Sequence, residues 1–181
     1  KTGGQVFQDE ALVHEVTNLV EYPTAFVGCF EQQFLSVPQE VLITTMKEHQ
    51  RYFPIHDQNG QLLAKFIGVR NGTDNHLEQV VAGNEKVLKA RLQDAKFFFD
   101  EDVKNGLETF LEKLKSVVFH EGLGSMYDKV KRIEQNSKTL ISLLNMPAQQ
   151  DLVLRAARLA KADLVTNMVY EFPELQGVMG K

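Results

Sequence analysis

The chain has no tryptophan and a single cysteine, Cys29. One cysteine excludes an intrachain disulfide and fits a reducing compartment, so the fold must rest on its core. No apolar run approaches the length needed to cross a bilayer, and no signal segment opens the chain. Positive charge is not in excess: 20 Lys and Arg stand against 24 Asp and Glu, a net charge of −4. That balance argues against a generally basic surface for nucleic acid. It leaves room for a local patch, because the field near a surface follows the nearby charges. No phosphate-cradling glycine loop of the Walker type, no dinucleotide fingerprint and no HExxH spacing occurs. No Ser-His-Asp or Cys-His arrangement can be argued from residue order. Internal repeats and low-complexity segments are also absent.

What is present is an ordinary composition, 43% hydrophobic and 24% charged over 181 residues, enough for one or two small domains. Twelve phenylalanines carry much of the aromatic core. The chain is organised around the stretch Val37–Asn71, VPQEVLITTMKEHQRYFPIHDQNGQLLAKFIGVRN. Pro38 suits a first helical position, and Val41, Leu42, Thr45 and Met46 fall on one face of a helix over Gln39–His49. Pro54 forces Phe53 into an extended conformation, which starts a strand. Asn59-Gly60 is a strong hairpin signal, and Leu62 to Val69 returns as the second strand. The elements of this helix–hairpin unit end in basic and polar residues: Lys47, Arg51, Arg70 and Asn71.

That stretch continues into FIGVRNG, GNEKVLKARLQDAKFFFDED, VVFHEGLGSMYDKVKRI and RAARLAKADLVTNMVYEFPELQGVMG. From about Phe34 to Lys181 these runs are similar to the β subunit of the bacterial glycyl-tRNA synthetase of the two-subunit type. Long runs in one order are far more specific than a short motif. The resemblance implies a part of a glycine–tRNA ligase that supports ATP-dependent glycyl-tRNA formation through tRNA binding and subunit architecture. The class II catalytic motifs, and with them ATP and magnesium, are then expected in the α subunit. No catalytic residue, cofactor or metal is expected in this chain. The implied partners are the α subunit, in an α2β2 tetramer, and the tRNA for glycine, in the cytoplasm and without a membrane. A chain that starts at Lys1 without methionine and stops directly after a family-like run is expected to be an excerpt.

Taken in order, residues 1–8 form a polar lead-in. Asp9 caps a helix running to about Val20, with Leu12, Val13, Val16 and Leu19 or Val20 as its apolar face. Ala25 to Phe30 is a short strand, in which Gly28 signals close backbone approach or a bulge and Cys29 reads as a buried small hydrophobe. A long helix is expected from about Asn75 to Phe99, ended by Phe97-Phe98-Phe99 and the acidic cluster Asp100, Glu101, Asp102. That cluster lacks the ligand alternation of a calcium loop and reads as a solvated turn or the N-terminus of the next helix. Asn84 and Arg91 lie near the centre of the long helix's apolar stripe, which predicts a structural polar network between helix and sheet. Lys86, Lys89 and Lys96 fall on the opposite, solvated side. A further helix, carrying Leu107, Phe110, Leu111 and Leu114, is expected to bridge to the C-terminal part.

From His120 onward the pattern is wholly helical. Ser125 with Asp128 gives a capping signal, followed by an amphipathic face of Met126, Val130, Ile133, Ser137, Leu140, Ile141 and Leu144. After Asn145-Met146-Pro147, one helix is expected over roughly Ala148–Val169, with Val153, Ala156, Ala157, Ala160, Leu164 and Met168 as its core stripe. Leu175 to Met179 reads as the start of another element. The fold class is therefore α+β and helix-dominated: a small β-hairpin unit packed with helices over 1–116, then an all-α part over 117–181. The second part resembles the HD superfamily, whose phosphohydrolase members bind metal through a histidine and a His-Asp pair. His120 would match the first histidine, but the pair position reads Ala162-Asp163. No histidine follows His120, so the resemblance implies a degenerate HD fold reused as a scaffold.

Three functions are compatible with these observations. In the first, Lys47, Arg51, Arg70, Asn71, Arg91, Lys129, Lys131 and Arg132 are the residues of interest for RNA, the cations for phosphates and Asn71 for a sugar or base edge. The second is a metal-dependent phosphohydrolase of the HD type. The third is a purely architectural segment that docks the α subunit.

Overall fold

The computed structural model describes residues 3–6 and 8–181. The lead-in expected over residues 1–8 therefore lies partly outside them; within it, Gln5–Val6 forms strand β1. The chain divides into two compact units, Lys1–Phe97 and Phe98–Lys181. As expected, it is an α+β, helix-dominated fold with a small antiparallel sheet packed against helices.

In the first unit Asp9 caps helix α1 (Glu10–Leu19), its Oδ1 accepting from the Leu12 amide at 3.0 Å. Strand β2 (Pro23–Cys29) follows, then helix α2 (Gln39–Gln50), strand β3 (Phe53–His56) and strand β4 (Leu62–Asn71). The sheet order is β1-β3-β4-β2, antiparallel throughout. Alternation along β4 puts Ile67 and Val69 on one face, where Leu12, Val16 and Phe53 pack with them. Phe66 points to the other face, stacked on Tyr52 with ring centroids 4.4 Å apart.

The register explains the glycine in β2. Gly28 pairs with Phe66 and Phe26 with Gly68. A Cβ at Gly28 would lie 2.3 Å from the Phe66 ring, and one at Gly68 would lie 2.3 Å from that of Phe26. Each ring thus lies across its partner's glycine, so close approach rather than a bulge is the role of Gly28. The same alternation turns Cys29 outward; it is exposed, not a buried hydrophobe.

Helix α3 runs over Leu77–Asn105, through the triple phenylalanine and the acidic cluster, which do not end it. Nothing between Phe97 and Asn105 forbids helical backbone; the stop is Gly106, at φ 70°. Asp102 does serve a helix N-terminus, one of the two roles expected of the cluster, but that of a distant helix. Its carboxylate accepts from the backbone amides of Asn167 at 3.0 Å and Met168 at 2.8 Å, the start of a helix much later in the chain. The buried stripe of α3 in the first unit is Leu88, Leu92 and Ala95.

The two units divide inside α3, upstream of the expected boundary at 116/117. Helix α4 (Leu107–Phe110) and the 3₁₀ turn Glu112–Ser116 do not bridge units; Phe110, Leu111 and Leu114 join Met126, Val130 and Ala162 in the second unit's core. That unit is not wholly helical. Strands β5 (Val118–His120) and β6 (Gly124–Ser125) make a small hairpin before helix α5 (Met126–Leu143). The capping box at Ser125 and Asp128 is formed in both directions.

The single helix expected over 148–169 is three pieces: helix α6 (Gln150–Leu159), a 3₁₀ turn Ala162–Val165 and helix α7 (Asn167–Glu171). Thr166 caps α7, its hydroxyl accepting from the Val169 amide at 3.2 Å, and this local bond competes with helix continuation. Residues after Glu171 form the turn Pro173–Leu175 and further turns, not another regular element. Of the expected apolar faces, Met126, Val130, Ile141, Ala157 and Met168 are buried. Leu140, Leu144 and Val153 are exposed instead.

Candidate functional site

The structure separates the candidate cations into two kinds. In the first unit they are engaged. Lys47, in the last turn of α2, pairs with Asp9, so it ties α2 to the cap of α1. The hydrogen bond from Lys47, then that from the Leu12 amide, hold the Asp9 carboxyl below its usual range. Arg51 closes α2 in a left-handed conformation, φ 56°, where its Nε donates to Glu15 at 2.6 Å and its guanidinium also donates to the Glu48 carbonyl. Arg70 donates to the Asn75 carbonyl at 2.9 Å, bracing the turn after β4. Asn71 accepts from the Tyr22 amide at 3.0 Å and donates to Glu21, so both ends of its amide face the chain rather than a ligand.

Arg51, Arg70 and Asn84 do come together, with Tyr52, around a depression of about 160 Å³. Two of its polar groups bond each other. The Tyr52 hydroxyl donates to Asn84 Oδ1 at 2.5 Å, and Asn84 donates to the Val80 carbonyl at 2.6 Å. Burial pushes the Tyr52 hydroxyl up to about 12, so it stays protonated at neutral pH. Asn84 thus links α3 to Tyr52, the residue before β3. Arg91 does not: it is exposed. The stripe that packs is narrower than the sequence pattern draws it, and Arg91 stands at its margin, without the cost of burying a charge. On the outward side Lys89 pairs with Glu31.

In the second unit the cations lie over aromatic rings. Lys129 Nζ sits 3.9 Å from the centroid of Phe119. Lys131 and Lys115 sit 4.8 and 4.9 Å from that of Tyr127. Lys113 sits 4.7 Å from Phe110. Arg132 donates to the Leu123 carbonyl at 2.9 Å, which fixes it against the hairpin. Among the described residues only Lys115 of these five pairs with a carboxylate, that of Glu112. Asp128 is nearby, but its carboxyl is occupied by the Ser125 amide and hydroxyl, which hold it below the usual range, with Lys131 and Arg132 adding to the effect. A ring face attracts a cation without neutralising it. Lys129 and Arg132 thus stand beside the β5–β6 hairpin, Lys115 and Lys131 flank Tyr127, and Lys113 lies over Phe110.

The sequence pattern indicates Lys129, Lys131 and Arg132 and misses Lys113, Lys115 and the rings they and the other lysines lie over. Tyr127 and Lys131 stand four apart on one helix, so that pair is legible in principle. Lys115 over Tyr127 joins two elements and is not.

His120, Ala162 and Asp163, the positions that the expected HD likeness singles out, are used locally. His120 is exposed on β5, and its Nδ1 accepts from the Gly122 amide at 3.1 Å. Asp163 is buried, and its Oδ2 accepts from the Gly177 amide at 2.5 Å. Ala162 is fully buried in the apolar core with Phe110 and Leu114. Among the described residues no group of three or more His, Cys, Asp or Glu is arranged to hold a metal ion, and no helix is long and apolar enough to cross a membrane.

Comparison with known proteins gives the family directly. A profile described as the glycyl-tRNA synthetase beta subunit matches residues 1–181, and the chain belongs to that family. It is 56% identical over 176 residues to the glycine--tRNA ligase beta subunit of Bacillus subtilis, covering 96% of this chain. The corresponding protein of Moorella thermoacetica is 52% identical over 181 residues, 99% of the chain, and that of Clostridioides difficile 55% over 179 residues, also 99%. The chain spans 26% of the length of each of these relatives.

Proposed function

We propose that this chain is a tRNA-binding and architectural part of a glycine–tRNA ligase, contributing to glycyl-tRNA formation without holding the reaction centre. The observation that carries the RNA contact lies in the second unit: Lys129 over Phe119, Lys131 over Tyr127 and Arg132 on the Leu123 carbonyl, none with a carboxylate partner among the described residues. Both rings already carry a lysine, so their faces are poorly placed to stack a base. Contact through phosphates along a duplex fits this surface better than capture of an unpaired strand. In this reading ATP and magnesium act at the α subunit, within an α2β2 assembly in the cytoplasm.

Such a contact is weak, salt-sensitive and tolerant of sequence, because counterion release drives it and phosphates carry no base identity. The test is a salt titration of binding to the glycine tRNA and to an unrelated tRNA. The expected result is a steep and similar loss of affinity for both. Strong preference for the glycine tRNA at physiological salt would show identity-reading contacts in this chain and overturn the phosphate-only reading. Glycine-dependent ATP–pyrophosphate exchange by the chain alone is expected to be nil; measurable exchange would place the reaction centre here. The HD-type phosphohydrolase reading has no observation in its favour, since Ala162 fills an apolar core position where a ligand histidine is needed.

A further inference from the structure

Strand β5 is exposed along its whole length, and so is the turn that follows it. Val118 is 74% exposed, Phe119 38% and Leu123 52%. The β5–β6 hairpin therefore stands out from the core of its unit instead of closing it. Its turn is nevertheless held in one shape. The Leu123 amide donates to the His120 carbonyl at 3.0 Å, the Gly122 amide donates to His120 Nδ1 at 3.1 Å, and Arg132 donates to the Leu123 carbonyl at 2.9 Å. Because Nδ1 accepts, the ring proton of His120 is on Nε2. Among the described residues that donor has no partner, so a fixed N–H is offered outward from an exposed element.

We propose that His120 contacts the ribose of a bound RNA duplex, its Nε2–H donating to a 2′-hydroxyl oxygen in the minor groove while Lys129 and Arg132, beside the same hairpin, hold phosphates. The inference rests on the tRNA reading and adds a contact to it. Two observations and the shape of the groove select the ribose. Glu121 directly follows His120 and is exposed, and its charge repels a phosphate at this point but not an uncharged hydroxyl. Val118, two residues before His120 and so on the same face of β5, is apolar and suits a sugar rather than a charged group. The minor groove of A-form RNA is wide and shallow and displays the 2′-hydroxyls, so a short projecting hairpin can reach them; the deep, narrow major groove admits no such approach. A ribose contact carries no base identity, so tolerance of sequence is kept, and what it adds is a preference for RNA.

The test compares binding of the chain to an RNA duplex and to a 2′-fluoro duplex of the same sequence, which keeps the A-form and the phosphates but offers a poor hydrogen-bond acceptor. The parent is expected to bind the RNA duplex about 3- to 10-fold more tightly, the net worth of one hydrogen bond. His120→Asn keeps an acceptor for the Gly122 amide, and with it the turn, but places no donor at the Nε2 position. That variant should lose the preference while its salt slope stays that of the parent. Equal binding of the two duplexes by the parent would overturn the inference and leave the phosphate contact standing. So would a preference that survives in His120→Asn, since His120 would then serve only the turn. No binding of either duplex at low salt would overturn the tRNA reading, and this inference with it.

Discussion

Lys47 and Arg51 in the first unit each face a carboxylate, whereas Lys129 and Lys131 in the second each face a ring. The contrast separates two uses of the same charge. A carboxylate neutralises a cation and ties two elements together; a ring orients a cation and leaves its charge to act outward. Cations that look alike in sequence thus differ in what they can offer a polyanion, and a net charge of −4 conceals the difference.

The largest expected effect is on RNA binding. A Lys129→Ala/Lys131→Ala/Arg132→Ala variant should weaken tRNA binding at low salt by about 10- to 100-fold and flatten the log–log salt slope by about 2–3. A Lys47→Ala/Arg51→Ala/Arg70→Ala variant should keep the slope. Fluorescence anisotropy over a salt series reads both, and a reversal of the two results would dissolve the contrast between the units.

Stability should divide the other way. Lys47→Ala removes the Asp9 partner that joins α1 to α2, with side-chain exposures of only 30% and 16% across the pair. Urea denaturation should show a loss of about 1 kcal/mol, at the upper end for a partly exposed pair. The second-unit triple variant should stay within about 0.5 kcal/mol of the parent, as exposed substitutions do.

A smaller effect is on acid stability. The Asp9 carboxyl is held below its ordinary value of 3.8, first by the hydrogen bond from Lys47 and then by the Leu12 amide. A value depressed in the folded state means that the contribution is complete above the unfolded value and is lost as pH falls through the folded one. Lys47→Ala should therefore reduce the fall in stability between about pH 4 and pH 2, read as denaturation midpoints across that range. An unchanged acid limb would show that the pair does not couple α1 to α2.

The smallest effect belongs to Arg91. Because it is exposed, Arg91→Ala should change stability by less than about 0.5 kcal/mol in the same urea measurement. A larger loss would return it to the helix–sheet network, where Asn84 stands alone with Tyr52.

Local chemistry is legible in the sequence. Asp9 and Ser125 cap the helices they are expected to cap, Asn59-Gly60 turns the hairpin, and the register of β2 and β4 gives Gly28 the close approach that a glycine inside a strand signals. These are decided by residues within a few positions of each other, or by a missing Cβ, so residue order carries them. The family is legible for another reason, since long runs in one order identify a chain without any knowledge of its contacts. Contacts between distant segments are not legible. Asp102 receives amides from residues 167 and 168, Ala162 fills a core with Phe110, and Lys115 crosses to the Tyr127 ring. Helical periodicity marks Leu144, Val153 and Arg91 as inward, but it shows only which residues share a face. Which part of that face meets another element, and which stays in water, depends on where the packing ends, and the tertiary fold alone sets that limit.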